Sequence, residues 1–322
     1  GEAIKNGSLS NFPISTNISN DNNQRLTGTS YGEIGLSAAK NLFENEKHKF
    51  SAGVTLKLLF PGSYANFGAD KFHGNIDFNF VAGQAYLNDT HANLNVAYSG
   101  NLANSFTNFD DYAKSLFGSL NGVAADIGFN YQWKDIDNYK LNAGLSVRNI
   151  GGMTFKDTNT SATTYDLNIP PRTSGQGLNL NQFQNVNSIQ EVETILLNSG
   201  YLDKTQKTNA TFKVKLPTVI SAYADIKVIS RFFVSVYTQQ KLGNDNKDNQ
   251  ITTQNIVSLT PRFSLKNYEV YGTLSINEIS ATTAGFGFRV YGFYLGSRSI
   301  LTALTSDTKQ DDFYVGYRVG IK

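Results

Sequence analysis

Near its end the chain reads Phe313-Tyr314-Val315-Gly316-Tyr317-Arg318-Val319-Gly320-Ile321. Every odd position in this stretch is apolar or aromatic, and the even positions are small, polar or charged. Because a β-strand sends successive side chains to opposite faces, this strand has one apolar face and one face that holds Gly and Arg. The same alternation recurs along most of the chain. It predicts a sheet closed into a barrel, with lipid outside and a polar lumen inside.

The composition is compatible with this prediction. The chain has 322 residues, of which 40% are hydrophobic, and no run approaches the roughly 18 apolar residues of a membrane helix. A membrane barrel has a mild average composition because every second residue faces its interior. The sequence contains no cysteine, which excludes disulfides and thiol chemistry. A net charge of +2 gives no indication of nucleic-acid binding.

Alternation of apolar and polar residues predicts the strands. They fall at 31–43, 49–60, 72–83, 92–100, 121–134, 139–150, 210–229, 231–242, 252–265, 268–278, 280–290, 292–298 and 312–321. We interpret 210–229 as one strand with a bulge or end near Leu216-Pro217, and two strands are the alternative. Barrels of this kind have even strand numbers, so we expect one more strand between Ile4 and Ile18. The predicted fold is all-β, a transmembrane antiparallel β-barrel of about fourteen strands, within a range of about twelve to sixteen.

The connections predict how the strands are oriented. Short connections fall near 44–48, 135–138, 230, 266–267 and 291–292, and long ones at 61–71, 101–120, 151–209, 243–251 and 299–311. With the C-terminus in the periplasm, the long connections lie outside the cell, as in bacterial outer-membrane barrels. We therefore expect one barrel domain over residues 1–322. It has an irregular N-terminal segment at 1–28 and a long extracellular loop at 151–209.

Two long connections contain helical patterns. Phe106, Phe109, Ala113 and Leu116 share one helical face. The run Ser188-Ile189-Gln190-Glu191 has capping-box spacing, and Gly200 is placed to end that helix. We expect helices in the extracellular loops that pack on or into the barrel mouth. A gate or a partner-binding helix is the alternative.

Strand parity assigns ionisable residues of both signs to the inner face, where an unpaired charge would be costly. The predicted lumen-lining charge network is Glu33, Lys57, Asp77, Asp126, Arg148, Asp225, Lys227, Arg262, Glu269, Arg289 and Arg318, and Lys213 is predicted to face inward as well. One interpretation is a network of ion pairs that fills the lumen. The other is a channel or ligand site lined by charge, with an anion-selective constriction near Arg262, Arg289 and Arg318.

Catalysis and metal binding have no clear signature. His48, His73 and His91 are the only histidines. We expect His48 and His91 in inner turns and His73 near an outer loop, as solvated residues without a nucleophile beside them. The sequence therefore predicts no catalytic residues, no metal site and no cofactor.

Outward aromatic residues are expected near the membrane edges, where interfacial girdles favour such rings. They are Phe43, Phe50, Tyr98, Trp133, Tyr268 and Phe313. In a soluble β-sandwich the same residues would be core residues. That alternative needs far shorter strands and has no place for so many inward charges.

Near the C-terminus, two stretches combine alternating Gly with aromatic residues: Ala284-Gly285-Phe286-Gly287-Phe288-Arg289-Val290-Tyr291-Gly292-Phe293-Tyr294-Leu295-Gly296-Ser297 and Phe313 to Gly320. With Leu216-Pro217-Thr218-Val219 and Leu120-Asn121-Gly122, they resemble a family of Bacteroidota outer-membrane β-barrels. Some members carry a C-terminal OmpA-type peptidoglycan-binding domain. A broader resemblance is to the barrel shape of fatty-acid transporters.

The resemblance implies a bacterial outer-membrane location and no reaction. It implies a structural role, as an envelope anchor or as a subunit of a larger complex for protein assembly or secretion. The expected partners are outer-membrane lipid and lipopolysaccharide, other outer-membrane proteins, and peptidoglycan through a region outside this sequence. A porin or hydrophobic-compound transporter is the alternative, and a barrel enzyme is a second one that the histidine placement disfavours.

Overall fold

The structure is a computed structural model that describes residues 15–79, 82–103, 118–136, 138–171, 177–206, 208–305 and 312–319. It is all-β, with one antiparallel sheet of 17 strands. The first nine are β1 (Ser15–Asn20), β2 (Gln24–Glu44), β3 (His48–Asn79), β4 (Gln84–Ser99), β5 (Gly122–Lys134), β6 (Tyr139–Phe155), β7 (Ser161–Ile169), β8 (Leu178–Asn179) and β9 (Leu202–Lys204). The others are β10 (Phe212–Lys215), β11 (Val219–Ile229), β12 (Phe232–Lys241), β13 (Ile256–Ser264), β14 (Tyr268–Asn277), β15 (Ala281–Val290), β16 (Phe293–Ser297) and β17 (Tyr314–Tyr317). Two α-helices are described, α1 (Ile189–Asn198) and α2 (Ile300–Thr305).

A curved array of strands forms the main part of the sheet. Its order is β2, β3, β5, β6, β11, β12, β13, β14, β15, β16 and β17, each antiparallel to the next. The registers bring the five predicted short connections to one edge, since His48 pairs with Trp133, Leu141 with Ile226 and Tyr268 with Val290. The three-residue turn Glu278-Ile279-Ser280 between β14 and β15 lies at the opposite edge. The shared edge predicted for the short turns is confirmed.

Contacts between strands that are not neighbours show the curvature. Arg262 on β13 reaches the Tyr139 hydroxyl on β6 at 2.7 Å, and the hydroxyls of Tyr314 on β17 and Tyr271 on β14 lie 3.2 Å apart. These side chains therefore share one concave face. Among the described residues no register joins β2 to β17, so the array is a curved sheet and a closed barrel of about fourteen strands stays a prediction.

The predicted connection at 61–71 is wrong, because β3 runs without interruption over 32 residues. Its second half pairs with β1, β2 and β4. Proline cannot donate to a ladder and is tolerated at bulges, and Pro61 lies opposite Tyr31 where the β2–β3 register shifts. The strand therefore passes through Pro61 and extends beyond the curved array.

This extension carries further strands of the same sheet and a helix, which we call the cap: the second half of β3 together with β1, β4, β7–β10 and α1. One cluster of buried apolar residues lies almost wholly in it, and the other lies where the cap meets the curved array. In one of them the rings of Tyr64, Phe155 and Phe212 pack with centroids 5.3 to 5.6 Å apart, beside Leu59 and Ala124 of the curved array. The apolar core therefore lies at the end of the array opposite the short turns.

The region 210–229 forms two strands, which is the alternative interpretation. β10 ends at Lys215, and β11 begins at Val219 after Leu216-Pro217-Thr218. The break changes the parity of the chain, so Phe212 and Val214 point into the cap core while Lys213 is exposed on the other side. The predicted inward orientation of Lys213 is wrong for this reason.

Helix α1 confirms the capping prediction at Ser188. The Ser188 hydroxyl accepts a hydrogen bond from the Glu191 amide at 3.2 Å, and Gly200 lies just beyond the helix with φ of 75°. The helical pattern from Phe106 to Leu116 lies outside the described residues. No helix in the described part of the chain is long and apolar enough to span a membrane.

Candidate functional site on the concave face

The curved array has two chemically different faces. On its convex face, large apolar side chains from successive strands stand beside one another with 40 to 63% of their surface exposed. They include Ile34, Leu36, Val54, Leu56, Val123, Ile127, Phe129, Leu145, Ile226, Val236, Val257, Leu259, Phe263, Val270, Leu274, Ile276, Phe286 and Val315. Registers such as Leu36 with Leu56 and Leu259 with Leu274 make the face continuous across strands.

The concave face contains the ion pairs. Arg262 lies between two carboxylates, 2.5 Å from Asp225 and 2.9 Å from Glu269. The Tyr139 hydroxyl also donates to Asp225, and the Arg262 guanidinium lies 4.5 Å from the centroid of the Phe233 ring. These charged side chains are less than 20% exposed. The predicted Asp225, Arg262 and Glu269 are thus brought together from three strands.

A second group is centred on Lys57. Its ammonium lies 3.4 Å from Glu33 and 3.1 Å from Asp126, and it donates to the Asn149 side-chain oxygen at 2.7 Å. The backbone N–H of Asn149 donates in turn to the Asp126 carboxylate at 2.7 Å. Asn149 has φ of 61°, a conformation more accessible to Asn than to most residues. The predicted Glu33, Lys57 and Asp126 therefore form one hydrogen-bonded cluster.

Arg148 has a different environment. Its Nη2 atom donates to Ser221, Tyr237 and Gln239 at 2.8 to 3.0 Å, and all three acceptors are neutral. Among the described residues no carboxylate lies within 4.0 Å of this guanidinium. Arg148 and Asp126 line a cavity of about 500 Å³ on the concave side.

The remaining predicted network residues have separate positions. Lys227 pairs with Asp135 at 2.6 Å, and Arg289 lies 3.9 Å from Glu269. Arg318 is exposed beyond β17. Asp77 lies in the cap, where it accepts a hydrogen bond from Asn88 at 2.8 Å, far along β3 from the curved array. Asp77 was placed by parity alone, and the register shift near Pro61 removes the basis for that placement.

Several partners in these clusters were missed by sequence reasoning. Tyr139, Asn149 and Tyr237 complete the groups around Asp225, Lys57 and Arg148. Tyr237 follows the inward parity of β12, which is a usable signal, but parity does not indicate which inward residues meet. Tyr139 has the parity of the outward-facing Leu145 and lies beside a shift in the β5–β6 register. Asn149 lies beside a bulge in the β5–β6 register, where parity fails.

Aromatic residues cluster at the short-turn edge. Phe43, Trp133 and Tyr268 are 42 to 55% exposed there, and Tyr291 stands edge-on to Tyr268. Tyr98 was predicted to face outward near a membrane edge, but it is buried in the cap beneath α1. There its hydroxyl donates to Glu193 at 3.0 Å, and burial raises its pKa.

The histidines lie in strands. His48 begins β3, and its Nδ1 atom lies 2.8 Å from the Tyr131 hydroxyl. His73 and His91 are register partners in the middle of β3 and β4, so the turn predicted for His91 is wrong. His73 lies 3.0 Å from both Ser19 and Asp21. That order resembles a catalytic triad, but the Asp21 side chain is 85% exposed and competes with water, so we assign it no catalysis.

Two further charged clusters lie in the cap and at the turn between β14 and β15. Glu193 is 9% exposed and accepts hydrogen bonds from the hydroxyls of Tyr98 and Tyr165. Glu278, in the turn after β14, lies 2.6 Å from Lys241, and this hydrogen bond lowers the pKa of Glu278. In the described ranges, no group of three His, Cys, Asp or Glu is arranged to hold a metal ion.

Comparisons with known proteins identify a family without assigning an activity. No curated protein and no solved structure matches the chain. One family model, described as Family of unknown function (DUF5723), matches residues 2–297. Because this match covers most of the 322 residues, the chain belongs to the DUF5723 family.

Proposed function

We propose that this protein is an integral outer-membrane β-barrel with a structural role. The observation that carries the proposal is the sorting of side chains in the curved array. Large apolar residues are exposed on the convex face of successive strands, while the ion pairs lie on the concave face. Lipid would cover the convex face and leave the charges in a polar interior, which is the arrangement of membrane barrels.

Water is an unfavourable solvent for this convex face. Soluble monomers rarely expose a contiguous apolar patch of more than a few hundred Å². Strands β11 to β15 are 9 to 11 residues long, which is the length that a tilted strand needs to cross a bilayer. The aromatic residues at the short-turn edge fit one membrane interface. The short turns would then be periplasmic and the cap extracellular.

The state of the interior charges favours a structural role over a wide pore. Arg262 is neutralised by Asp225 and Glu269, and Lys57 by Glu33 and Asp126. Such pairs hold strands together across the concave face. We propose that the barrel serves as an envelope anchor or as a subunit of a larger outer-membrane assembly or secretion complex. Lipopolysaccharide, other outer-membrane proteins and peptidoglycan are the proposed partners.

Single-cysteine labelling tests the membrane assignment directly, because the sequence contains no cysteine and therefore has no background reaction. Leu274 and Ser275 are neighbours on β14 with opposite orientations, 47% and 6% exposed. We compare Leu274→Cys with Leu304→Cys on α2, where the leucine is 74% exposed. In proteoliposomes a water-soluble maleimide should label position 304 and spare position 274. In the unfolded chain both should react.

Rapid labelling of Leu274→Cys in proteoliposomes would contradict the membrane assignment, as would a folded protein that stays monomeric without detergent. Ser275→Cys reports on the interior. Because Ser275 lies on the concave face and is 6% exposed, we expect Ser275→Cys to be protected from the maleimide in detergent micelles, where lipid is absent.

The structural role has a separate test. Gentle detergent extraction followed by mass spectrometry should recover the protein with other outer-membrane proteins, and recovery of the chain alone would contradict the complex. A porin or transporter remains the second candidate because the concave side has the cavity beside Arg148. Ion conductance across planar bilayers by the purified chain, changed by Arg289→Ala, would favour that candidate.

A further inference from the structure

One donor of the Arg148 guanidinium has no acceptor among the described residues. A guanidinium has five N–H donors in a planar fork. The neutral acceptors on β11 and β12 all contact Nη2. The Nε atom is buried and has no hydrogen-bond partner among the described residues. A buried donor without a partner costs about 1–3 kcal/mol, and more when it is charged.

The other cations of the concave face are neutralised by the chain itself. Lys57, Lys227, Arg262 and Arg289 each have a carboxylate within 4.0 Å, and in the described part of the chain Arg148 has none. Low-dielectric surroundings make an uncompensated charge unfavourable. A counter-ion supplied from outside the chain would remove this cost, and a carboxylate forms charge-assisted hydrogen bonds with a guanidinium.

The cavity beside Arg148 has space for such a ligand. Its volume is about 500 Å³, and its wall combines the rings of Tyr223 and Tyr237 with Asn130, Ser146 and Ser221. Gly144 makes room for the Tyr223 ring, since a Cβ atom there would approach that ring to 2.4 Å. Asp126 also lines the cavity. Its negative charge disfavours dianions, so the site suits a singly charged group.

We propose that Arg148 binds the carboxylate of a small organic acid in this cavity, with the two tyrosine rings beside the organic part. The site goes beyond the structural role proposed above. It needs only the concave face, whether or not lipid covers the convex one. Binding by the protein in detergent micelles therefore tests the site separately from membrane insertion.

The experiment measures binding of benzoate to the full chain by calorimetry, with benzamide as the neutral probe of the same shape. We expect benzoate to bind at least about tenfold more tightly than benzamide, equivalent to about 1.4 kcal/mol. Arg148→Gln should remove this preference. Arg148→Lys keeps the charge but loses the planar fork, and should retain only part of it. Arg289→Gln, an arginine of the same face with a carboxylate partner, should leave it unchanged.

Two results would overturn the proposal. One is equal affinity of the wild-type protein for benzoate and benzamide, which needs no variant to fold. The other is a benzoate affinity that Arg148→Gln and Arg148→Lys leave unchanged while Arg289→Gln lowers it, which would place the anion elsewhere on the concave face.

Discussion

Single residues decide how the concave face is held together. Arg262 on β13 joins Asp225 on β11 to Glu269 on β14. Strand β12 lies between β11 and β13, and β14 is the next neighbour of β13. All three side chains are largely buried, so removal of the cation leaves Asp225 without an ion-pair partner and Glu269 with only the more distant Arg289. Such a loss costs far more than the loss of a surface pair.

We expect Arg262→Ala to lower the free energy of unfolding by about 3–5 kcal/mol. The matched control is Arg298→Ala, because Arg298 is 56% exposed in its pair with Asp312 and surface pairs contribute about 0–1 kcal/mol. Urea unfolding in detergent–lipid micelles measures both. Equal losses for the two variants would contradict the interpretation. Adding Asp225→Asn and Glu269→Gln to Arg262→Ala should restore part of the loss.

Glu278 gives a pH-dependent prediction at the same scale. Its pKa is lowered in the folded state by the hydrogen bond with Lys241. A lowered folded-state pKa contributes stability above the ordinary value of about 4.3, and that contribution is lost as the pH falls through the folded value. The melting temperature of wild type should therefore exceed that of Glu278→Gln at pH 6, and the difference should shrink toward pH 3.

Removal of the partner provides the control for this prediction. In a Lys241→Gln background, Glu278→Gln should have a much smaller effect at pH 6, because the hydrogen bond that lowers the pKa is gone. A pH-independent difference between wild type and Glu278→Gln would show that the Lys241 contact is not its source.

At the scale of elements, one buried carboxylate attaches α1 to the strands of the cap. Glu193 accepts hydrogen bonds from Tyr98 on β4 and Tyr165 on β7, and Leu196 packs in the same apolar cluster. Burial raises the pKa of the Tyr165 hydroxyl, so it stays a donor at neutral pH. The helix is therefore docked by polar contacts as well as by apolar packing.

We expect Glu193→Ala to loosen α1, because it removes the charged acceptor of two buried hydroxyls, and each such hydrogen bond contributes about 1.5–3 kcal/mol. Amide hydrogen exchange of Ile189–Asn198 should accelerate, while exchange of β11 to β15 should not change. Thr194→Ala, on the exposed side of the same helix, is the control and should leave the exchange slow. Similar exchange in the two variants would contradict the role of Glu193.

At the scale of the whole molecule, the prediction concerns the solvent of the convex face. Leu259 lies on that face, 42% exposed. If lipid covers it, Leu259→Arg should cost about 2–4 kcal/mol near the middle of the bilayer. In a water-soluble protein an exposed leucine would tolerate the change within about 0.5 kcal/mol.

The control for this prediction is Leu304→Arg on α2, in a long connection, where the leucine is 74% exposed. It should have little effect in either case. Unfolding from proteoliposomes measures both variants, and equal small effects would contradict lipid contact at Leu259.

Period-two alternation was sufficient to predict the all-β fold, the edge shared by the short turns and the exposed positions of residues such as Phe286. It succeeded because side-chain direction in a strand depends only on local backbone geometry. Alternation also identified most of the charges on the concave face. The α1 boundaries followed from Ser188 and Gly200, which act on their immediate neighbours.

Tertiary structure decided what alternation leaves open. Continuity of β3 through Pro61 depends on a shift in the β2–β3 register, where β3 holds the extra residue, and the orientation of Lys213 depends on the break at Leu216-Pro217-Thr218. Asp225 meets Arg262 across an intervening strand, whereas Arg148 meets only neutral acceptors. Parity assigns a residue to a face, but the curvature and register of the sheet decide which residues on that face come within hydrogen-bonding distance.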